Sequence, residues 1–341
     1  MNPKRKVFLG VGNIAGIFTS LKTGFDELGI DAGFYSYLPH EFGYQTDKII
    51  NYSENKLIRK IQKFFLIIKL ILKYDFFIFD SGGTLLPDYK DVKLFKLFGK
   101  KTMVIFTGCD IRMPEKVAEF KWNPCKDCND DYKKYVGCVL STKPQKIREM
   151  ENNFDIFVSA EEAAGSLSKK FYPALFPVDV KKFSLNYGTL NKRLKIIHAP
   201  SNEIYKGTKF INDAIDKLKK EFEFEYKIIS GVSINELYDE IESSDLVIDQ
   251  ILVGFYGMLS IESMAMGKPV ICYIREDLWI KIKNECPVYN ANPDNLFETL
   301  KSILQNPEQL LESQKKSRLY VEKYHDAKKI AKQYLEIFEN K

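Results

Sequence analysis

Short runs of β-branched and aromatic residues alternate along the chain with stretches of helical periodicity. This alternation predicts an α/β fold built on parallel sheets. In the first half, residues 6–12 read as a strand, 17–28 as a helix and 32–37 as a second strand. A long helix over 56–73 feeds a strand at 76–80, a short helix ends over 94–98, and buried strands follow at 102–107 and 155–160. The second half keeps the rhythm more cleanly. Strands at 195–199, 225–230, 245–249 and 269–274 alternate with helices at 208–221, 235–241 and 259–266, and the chain after Pro293 is helical and strongly charged. No internal repeat of solenoid period is present. Phe176-Pro177-Val178-Asp179, followed by the polar stretch 186–193, marks the expected joint. The domains expected are therefore 1–180, with a cysteine-containing insertion at about 108–142, and 181–341. Two doubly wound domains in series place their strand C-terminal ends at ligand-binding edges, so an active site is expected in a cleft between facing halves.

Length and composition narrow the function. A chain of 341 residues fits two ordinary domains, and 45% hydrophobic with 28% charged residues is a soluble globular composition. The net charge of +5 is far short of the concentrated charge of a nucleic-acid groove binder, leaving anionic small molecules or an anionic membrane as partners. Aromatic residues reach 13%, an unusual share. The basic start is followed by too short an apolar run for a signal peptide, and Lys69, Lys73 and Asp75 interrupt the greasy stretch 64–79. A cytoplasmic location is expected, and the six cysteines do not read as a disulfide framework.

The segment richest in chemistry is 249–270, DQILVGFYGMLSIESMAMGKPV. A strand ends at Asp249, a glycine-containing loop follows, and a helix starts near Met258. Free N–H groups at that helix terminus attract an anion, and Gly257 lets a phosphate come close. Glu262, one turn in, can reach hydroxyls of a group held there. Asp249 and Gln250 can contact such a group too, while the alternative for Asp249 is a cap on the following turn.

This segment resembles the donor signature of the retaining GT-B glycosyltransferases of family 4 (group 1). An aromatic-Gly pair stands six and five residues before a Glu, and a small-residue helix runs into Gly-x-Pro-Val. Tyr256, Gly257, Glu262, Ala265, Gly267, Pro269 and Val270 match. The resemblance extends to His198-Ala-Pro-Ser201-Asn202-Glu203-Ile-Tyr-Lys206-Gly207-Thr208, where the family has a Lys-Gly pair at a helix start. It implies a GT-B fold of two Rossmann-like domains, the first (1–180) acceptor-binding and the second (181–341) nucleotide-sugar-binding, with Glu262 on the nucleotide ribose and Lys206 on the diphosphate. By the same resemblance, Met258 and Leu259 N–H groups cap a phosphate or the sugar, and Gly231 and Val232 line the base. Two positions depart from it. Gly254 stands where the family often has a second Glu for the donor sugar, and Ser201 replaces an Arg.

In the first half, Gly10-Val11-Gly12-Asn13-Ile14-Ala15-Gly16 sits between a strand and a helix. It either presents N–H groups to a phosphate or is a tight turn without ligand. The family context makes Gly12, Asn13 and Gly16 donor- or acceptor-side candidates. Asp110 and Arg112 follow the strand at 102–107 and are expected to point into the cleft, Asp110 as a catalytic candidate and Arg112 on the acceptor side, unless they pair with each other. His40 either faces the acceptor or is structural. Cys109, Cys125, Cys128 and Cys138 have a spacing that suits a structural zinc site, the alternative being free or buried thiols. The helix 56–73 either docks on anionic lipid or is a core helix with one solvated basic face.

The implied reaction is transfer of a sugar from a UDP- or GDP-sugar to a hydroxyl of a glycan or lipid-linked acceptor, with retention, in cell-surface polysaccharide or glycoconjugate synthesis of bacterial type. No catalytic metal is implied, because Lys206, the helix terminus and loop amides can stabilise the leaving diphosphate. The departing phosphate oxygen can itself take the acceptor proton. A peripheral location on the inner membrane face and no nucleic-acid partner go with this reading. Its competitors are an inactive nucleotide-sugar-binding or membrane scaffold module and a sugar-nucleotide epimerase of the same fold.

Overall fold

A computed structural model describes residues 5–40, 43–185 and 187–340. The chain divides into two compact units, one of Met1–Met113, Cys138–Asp179 and Ala327–Lys341, the other of Pro114–Gly137 and Val180–Asp326.

The first unit carries seven strands: β1 (Val7–Val11), β2 (Ala32–Ser36), β3 (Lys48–Ile49), β4 (Phe76–Asp80), β5 (Lys101–Phe106), β6 (Ile156–Ser159) and β7 (Tyr172–Pro173). They lie in the order β3-β2-β1-β4-β5-β6-β7, and every pairing is parallel. Helices cover both faces of such a sheet, so its strands must be apolar throughout. Every residue of β1, β2 and β4 is accordingly buried. Much of the aromatic excess is here: Phe77 stacks on Phe95 with centroids 3.9 Å apart, and Phe8 lies 5.6 Å from Phe77 and 5.5 Å from Tyr35. The strand order reverses between β1 and β4, so their C-terminal ends open the crevice where a doubly wound sheet binds ligands.

The second unit has β8 (Lys195–His198), β9 (Glu225–Ile228), β10 (Leu246–Ile248), β11 (Val270–Cys272) and β12 (Tyr289–Asn290). They form an all-parallel sheet in the order β12-β11-β10-β8-β9. Its reversal lies between β8 and β10.

Two segments depart from the expected domains. Residues 114–137, expected in the first domain, belong to the second unit. There Trp122 packs on Phe210 at 5.2 Å and donates to Asp294 at 2.8 Å, and the Arg275 guanidinium lies 3.9 Å over the Phe120 ring. The helix Ala327–Glu339, expected in the second domain, belongs to the first. Phe338 stacks on Phe76 at 4.3 Å, and Lys101 donates to the Phe338 carbonyl at 2.9 Å. That helix runs beside the helix Ile17–Glu27 at Gly24, where a Cβ would stand 2.1 Å from the Ala327 carbonyl oxygen. Local periodicity carries no information about such long-range docking.

Gly24→Val is therefore expected to push the C-terminal helix off and destabilise the protein by about 2–3 kcal/mol. A lower thermal midpoint with early proteolysis near residue 327 is the signature; an unchanged midpoint would show that the contact does not hold the helix.

Candidate active site

The switch point of the second unit gathers the strongest cluster. Lys206 is the last residue of a short helix, Glu203–Lys206, capped by Asn202, whose side chain accepts from the Tyr205 N–H at 2.9 Å. Gly207 ends it at φ +83°, with Ile251 and Leu252 side chains 2.8 and 3.0 Å from where a Cβ would stand. The buried Lys206 Nζ donates to Asp249 Oδ1 and to Gln250 Oε1, both at 2.7 Å. An ammonium has three N–H donors, so one remains for an anion. Asp249 Oδ2 accepts from the Ser260 hydroxyl at 2.6 Å. Burial alone would raise the Asp249 carboxyl, but Lys206 and Ser260 outweigh it and hold the group below its ordinary value.

His198, which the sequence presents as isolated, braces this point. Its Nδ1–H donates to the Ile248 carbonyl at 2.8 Å, and its Nε2 accepts from the Thr208 hydroxyl at 2.8 Å. Burial pushes it down to about 4, so it is neutral at physiological pH.

The loop beyond Asp249 leads to the helix Met258–Ala265, which starts on Gly257 without a side-chain cap. Its first N–H groups, including those of Met258 and Leu259, therefore lack the usual capping partner. Glu262, one turn in, is buried and accepts from the Tyr238 hydroxyl at 2.7 Å. The Tyr256 hydroxyl lies 2.9 Å from that of Tyr320 and 3.0 Å from His325 Nε2, so this side chain anchors the loop to the helix Gln309–Tyr324. Gly231, at φ +69°, and Val232 form the turn after β9, just ahead of the capping box of Ser233 and Glu236. Ser201 is exposed on the loop after β8. Gly254 has φ +94°, and its carbonyl accepts from the Arg275 N–H at 2.9 Å.

In the first unit, the equivalent crevice centres on Asp80, which the sequence marks only as the end of the strand over 76–80. Asp80 Oδ2 accepts from the Ile14 N–H at 3.1 Å and Oδ1 from the Ser81 hydroxyl at 2.7 Å. A Cβ on Gly12 would sit 3.1 Å from Oδ2, which explains the glycine. Burial pushes the Asp80 carboxyl up to about 6, partly opposed by those two hydrogen bonds, with the Asp110 charge adding to the rise. Gly16, at φ +73°, sits on the Tyr44 ring.

Several expected roles change here. Asn13 is a brace: its Oδ1 accepts from the Phe18 N–H at 2.9 Å and its Nδ2 donates to Thr19 at 3.0 Å. The Asp110 carboxylate accepts from the N–H groups of Thr107, Gly108 and Ile111, so it shapes its own turn. Arg112 neither pairs with Asp110 nor faces an acceptor; it is 1% exposed and bonded to Glu162 at 2.8 Å. His40 makes an edge contact with Tyr44 at 4.8 Å. Of the two alternatives for the cysteines, the zinc site is not assembled, since among the described residues no three His, Cys, Asp or Glu side chains gather as metal ligands. Cys138 instead meets the Lys143 ammonium at 2.9 Å, and Cys109 meets Arg112 at 3.5 Å. A cation beside each of these two sulfurs opposes a second one.

The second unit also holds a cavity of about 470 Å³ beside Tyr238, lined by Lys182, Asn191, Asp245 and Lys268. It lies at the N-terminal ends of the strands. Asn191 is bonded to Asp245, and Lys268 to the carbonyls of Glu242 and Ser244.

Two tests follow from these pairs. Lys206→Met strands the Asp249 charge and should lower stability by about 3–5 kcal/mol, most of it recovered on adding Asp249→Asn. Additive losses in urea unfolding would show that the pair is not coupled. Asp80, with its folded value raised, contributes stability below the ordinary carboxyl value that is lost as pH rises through about 6. Asp80→Asn should thus exceed the parent in stability by up to about 3 kcal/mol at neutral pH, the gap closing towards about pH 4. A gap that stays constant over that range would contradict a raised carboxyl.

No protein-family model matches the chain, and no curated protein matches it in sequence. Solved structures do match. HepE of Anabaena, in complex with UDP-glucose, is 12% identical with a TM-score of 0.62, over 99% of this chain and 100% of that one. A glycosyltransferase of Rickettsia africae ESF-5 is 15% identical with a TM-score of 0.63, over 100% and 99%. A UDP-N-acetylglucosamine 2-epimerase is 13% identical with a TM-score of 0.51, over 99% and 96%. With two doubly wound parallel sheets of these strand orders, the chain has the GT-B fold.

Proposed function

We propose that the protein is a glycosyltransferase that moves a sugar from a nucleotide-sugar donor to an acceptor hydroxyl with retention at the anomeric carbon. The observation that carries this reading is the buried Lys206, held by Asp249 and Gln250 with one N–H left over, at the same strand edge as the uncapped Met258–Ala265 helix. A fixed ammonium and a helix N-terminus together suit a diphosphate. Glu262, one turn further, takes the ribose hydroxyls, which would replace the Tyr238 hydroxyl on its carboxylate. Gly231 and Val232 receive the base. HepE, which has the same fold, was solved with UDP-glucose, which supports a nucleotide sugar as ligand; UDP- and GDP-sugars are the donors to try first.

As the donor bond breaks, negative charge grows on the diphosphate, where Lys206 and the Met258 and Leu259 N–H groups stabilise it. The departing phosphate oxygen takes the acceptor proton as the acceptor oxygen attacks from the same face, so the chemistry needs no further protein base. A glycan or lipid-linked acceptor, within surface polysaccharide or glycoconjugate synthesis, fits a transferase of this kind. The epimerase likeness supports a second reading, interconversion of the donor sugar without transfer.

A thermal-shift panel of nucleoside diphosphates and nucleotide sugars tests the site. A ligand at about 100 times its Kd adds about 2.7 kcal/mol. Glu262→Gln, which keeps an acceptor for Tyr238, should leave the unliganded midpoint in place and shrink the shift. If no nucleotide moves the midpoint, or Glu262→Gln responds like the parent, the site is wrongly assigned. An epimerised donor as sole product would favour the second reading.

A further inference from the structure

The helix Lys56–Lys73 turns its greasy side outward. Only Ile67 and Leu70 are fully buried against the first unit's core. Leu57, Ile61, Phe64, Phe65, Ile68 and Leu72 are all exposed, Leu72 by 80% and Phe65 by 62%. At helical spacing these six fill an outward arc of roughly 100°. Exposed Lys60 borders the arc on one side and exposed Lys69 on the other, Lys56 and Arg59 crown the first turn, and the helix has no acidic residue. The core helix with a solvated basic face, one of the two alternatives open from sequence, is therefore not what forms. Burying this crest within the fold would have followed from the usual one-sided pattern; here a second apolar face is left over.

We propose that this face docks in the surface of a bilayer containing anionic lipid, with the Phe64–Phe65 crest among the acyl chains and the flanking cations at the headgroups. No described helix is long and apolar enough to cross a membrane, so the helix lies in the plane. The charge pattern selects the occupant. A second copy meeting face to face would set an acid-free row of cations against itself, whereas anionic headgroups around an apolar interior complement both features.

The docking also has a direction. The helix leaves β3 and enters β4, so in a parallel sheet its cationic first turn stands at the strands' C-terminal edge, with Gly12, Gly16 and Asp80. A bilayer bound there lies next to the crevice of the first unit. That this serves to present a lipid-linked acceptor rests on the proposed transferase reading; the docking itself does not.

Co-sedimentation of the full chain with vesicles of phosphatidylcholine, with and without about 30% phosphatidylglycerol, tests it. Binding should be at least about tenfold tighter to the anionic vesicles. Phe64→Ser with Phe65→Ser, and separately Lys60→Glu with Lys69→Glu, should each weaken it about tenfold or more. These side chains are exposed, so the thermal midpoint and any nucleotide shift should stay in place. Equal binding to both vesicles, or variants that bind like the parent, would overturn the proposal. So would a dimer that Phe64→Ser with Phe65→Ser converts to monomer in a protein that ignores vesicles. Vesicle binding without nucleotide binding would keep the docking and remove the transferase reading; the reverse result would do the opposite.

Discussion

The buried pair of Lys206 and Asp249 is the constraint around which the second unit is arranged. Taking two charges out of water costs several kcal/mol per ion, and a well-packed apolar pair would serve the fold at least as well. The pair persists because its neighbours are directed at it, Gln250 on the ammonium and Ser260 on the second carboxylate oxygen, with a single ammonium N–H left over. Those bonds tie together the turn after β8, the end of β10 and the first turn of the Met258–Ala265 helix. His198, kept neutral by burial, clamps β8 to β10 one residue before Asp249 without adding a competing charge. The glycines follow from the same crowding, since at Gly207 only a residue without Cβ clears Ile251.

The first unit solves the corresponding problem with the opposite sign. Its crevice carries a carboxyl, Asp80, that takes up the Ile14 N–H of the glycine loop. Asn13 takes up the Phe18 N–H at the start of the next helix. Much of the N–H capacity that would draw an anion is therefore directed into the protein. This unit is less suited to a phosphate than the second, which agrees with giving it the acceptor in the proposed reaction.

The periodic parts of this architecture could be read from residues alone. The helix over 56–73 and the strand over 76–80 have the expected bounds because two-sided burial and capping by Asn55 are local signals. The 249–262 segment could be read because loop, helix start and Glu262 are contiguous. What escaped lies far apart in sequence. Tyr238 reaches Glu262 and Trp122 reaches Asp294 only through tertiary packing. Spacing left a shared metal or separate thiols open for the four cysteines, and it says nothing of Lys143 or Arg112, the cations that meet two of the sulfurs. Asp80 looks like any acid at a strand end until the Gly12 loop is seen to lie on it.

Gly254 shows how a missing side chain can be a property of the backbone. Its φ of +94° lies where side-chain-bearing residues are strained, and the space a Cβ would enter is lined by the Arg275 stem, 3.5 Å away. Arg275 is itself packed under Phe120 of the 114–137 segment, so the loop is set by that packing and a Glu could not simply be restored there. Nor can its neighbours stand in for it freely. Both oxygens of Asp249 are occupied, and Gln250 divides its amide between Lys206 and the Phe255 carbonyl. Under the proposed reaction, no carboxylate of this loop is then free to grip the donor sugar. The loop therefore adds no free negative charge beside the anomeric carbon. A sugar that itself carries a carboxylate would meet less repulsion here than beside a glutamate.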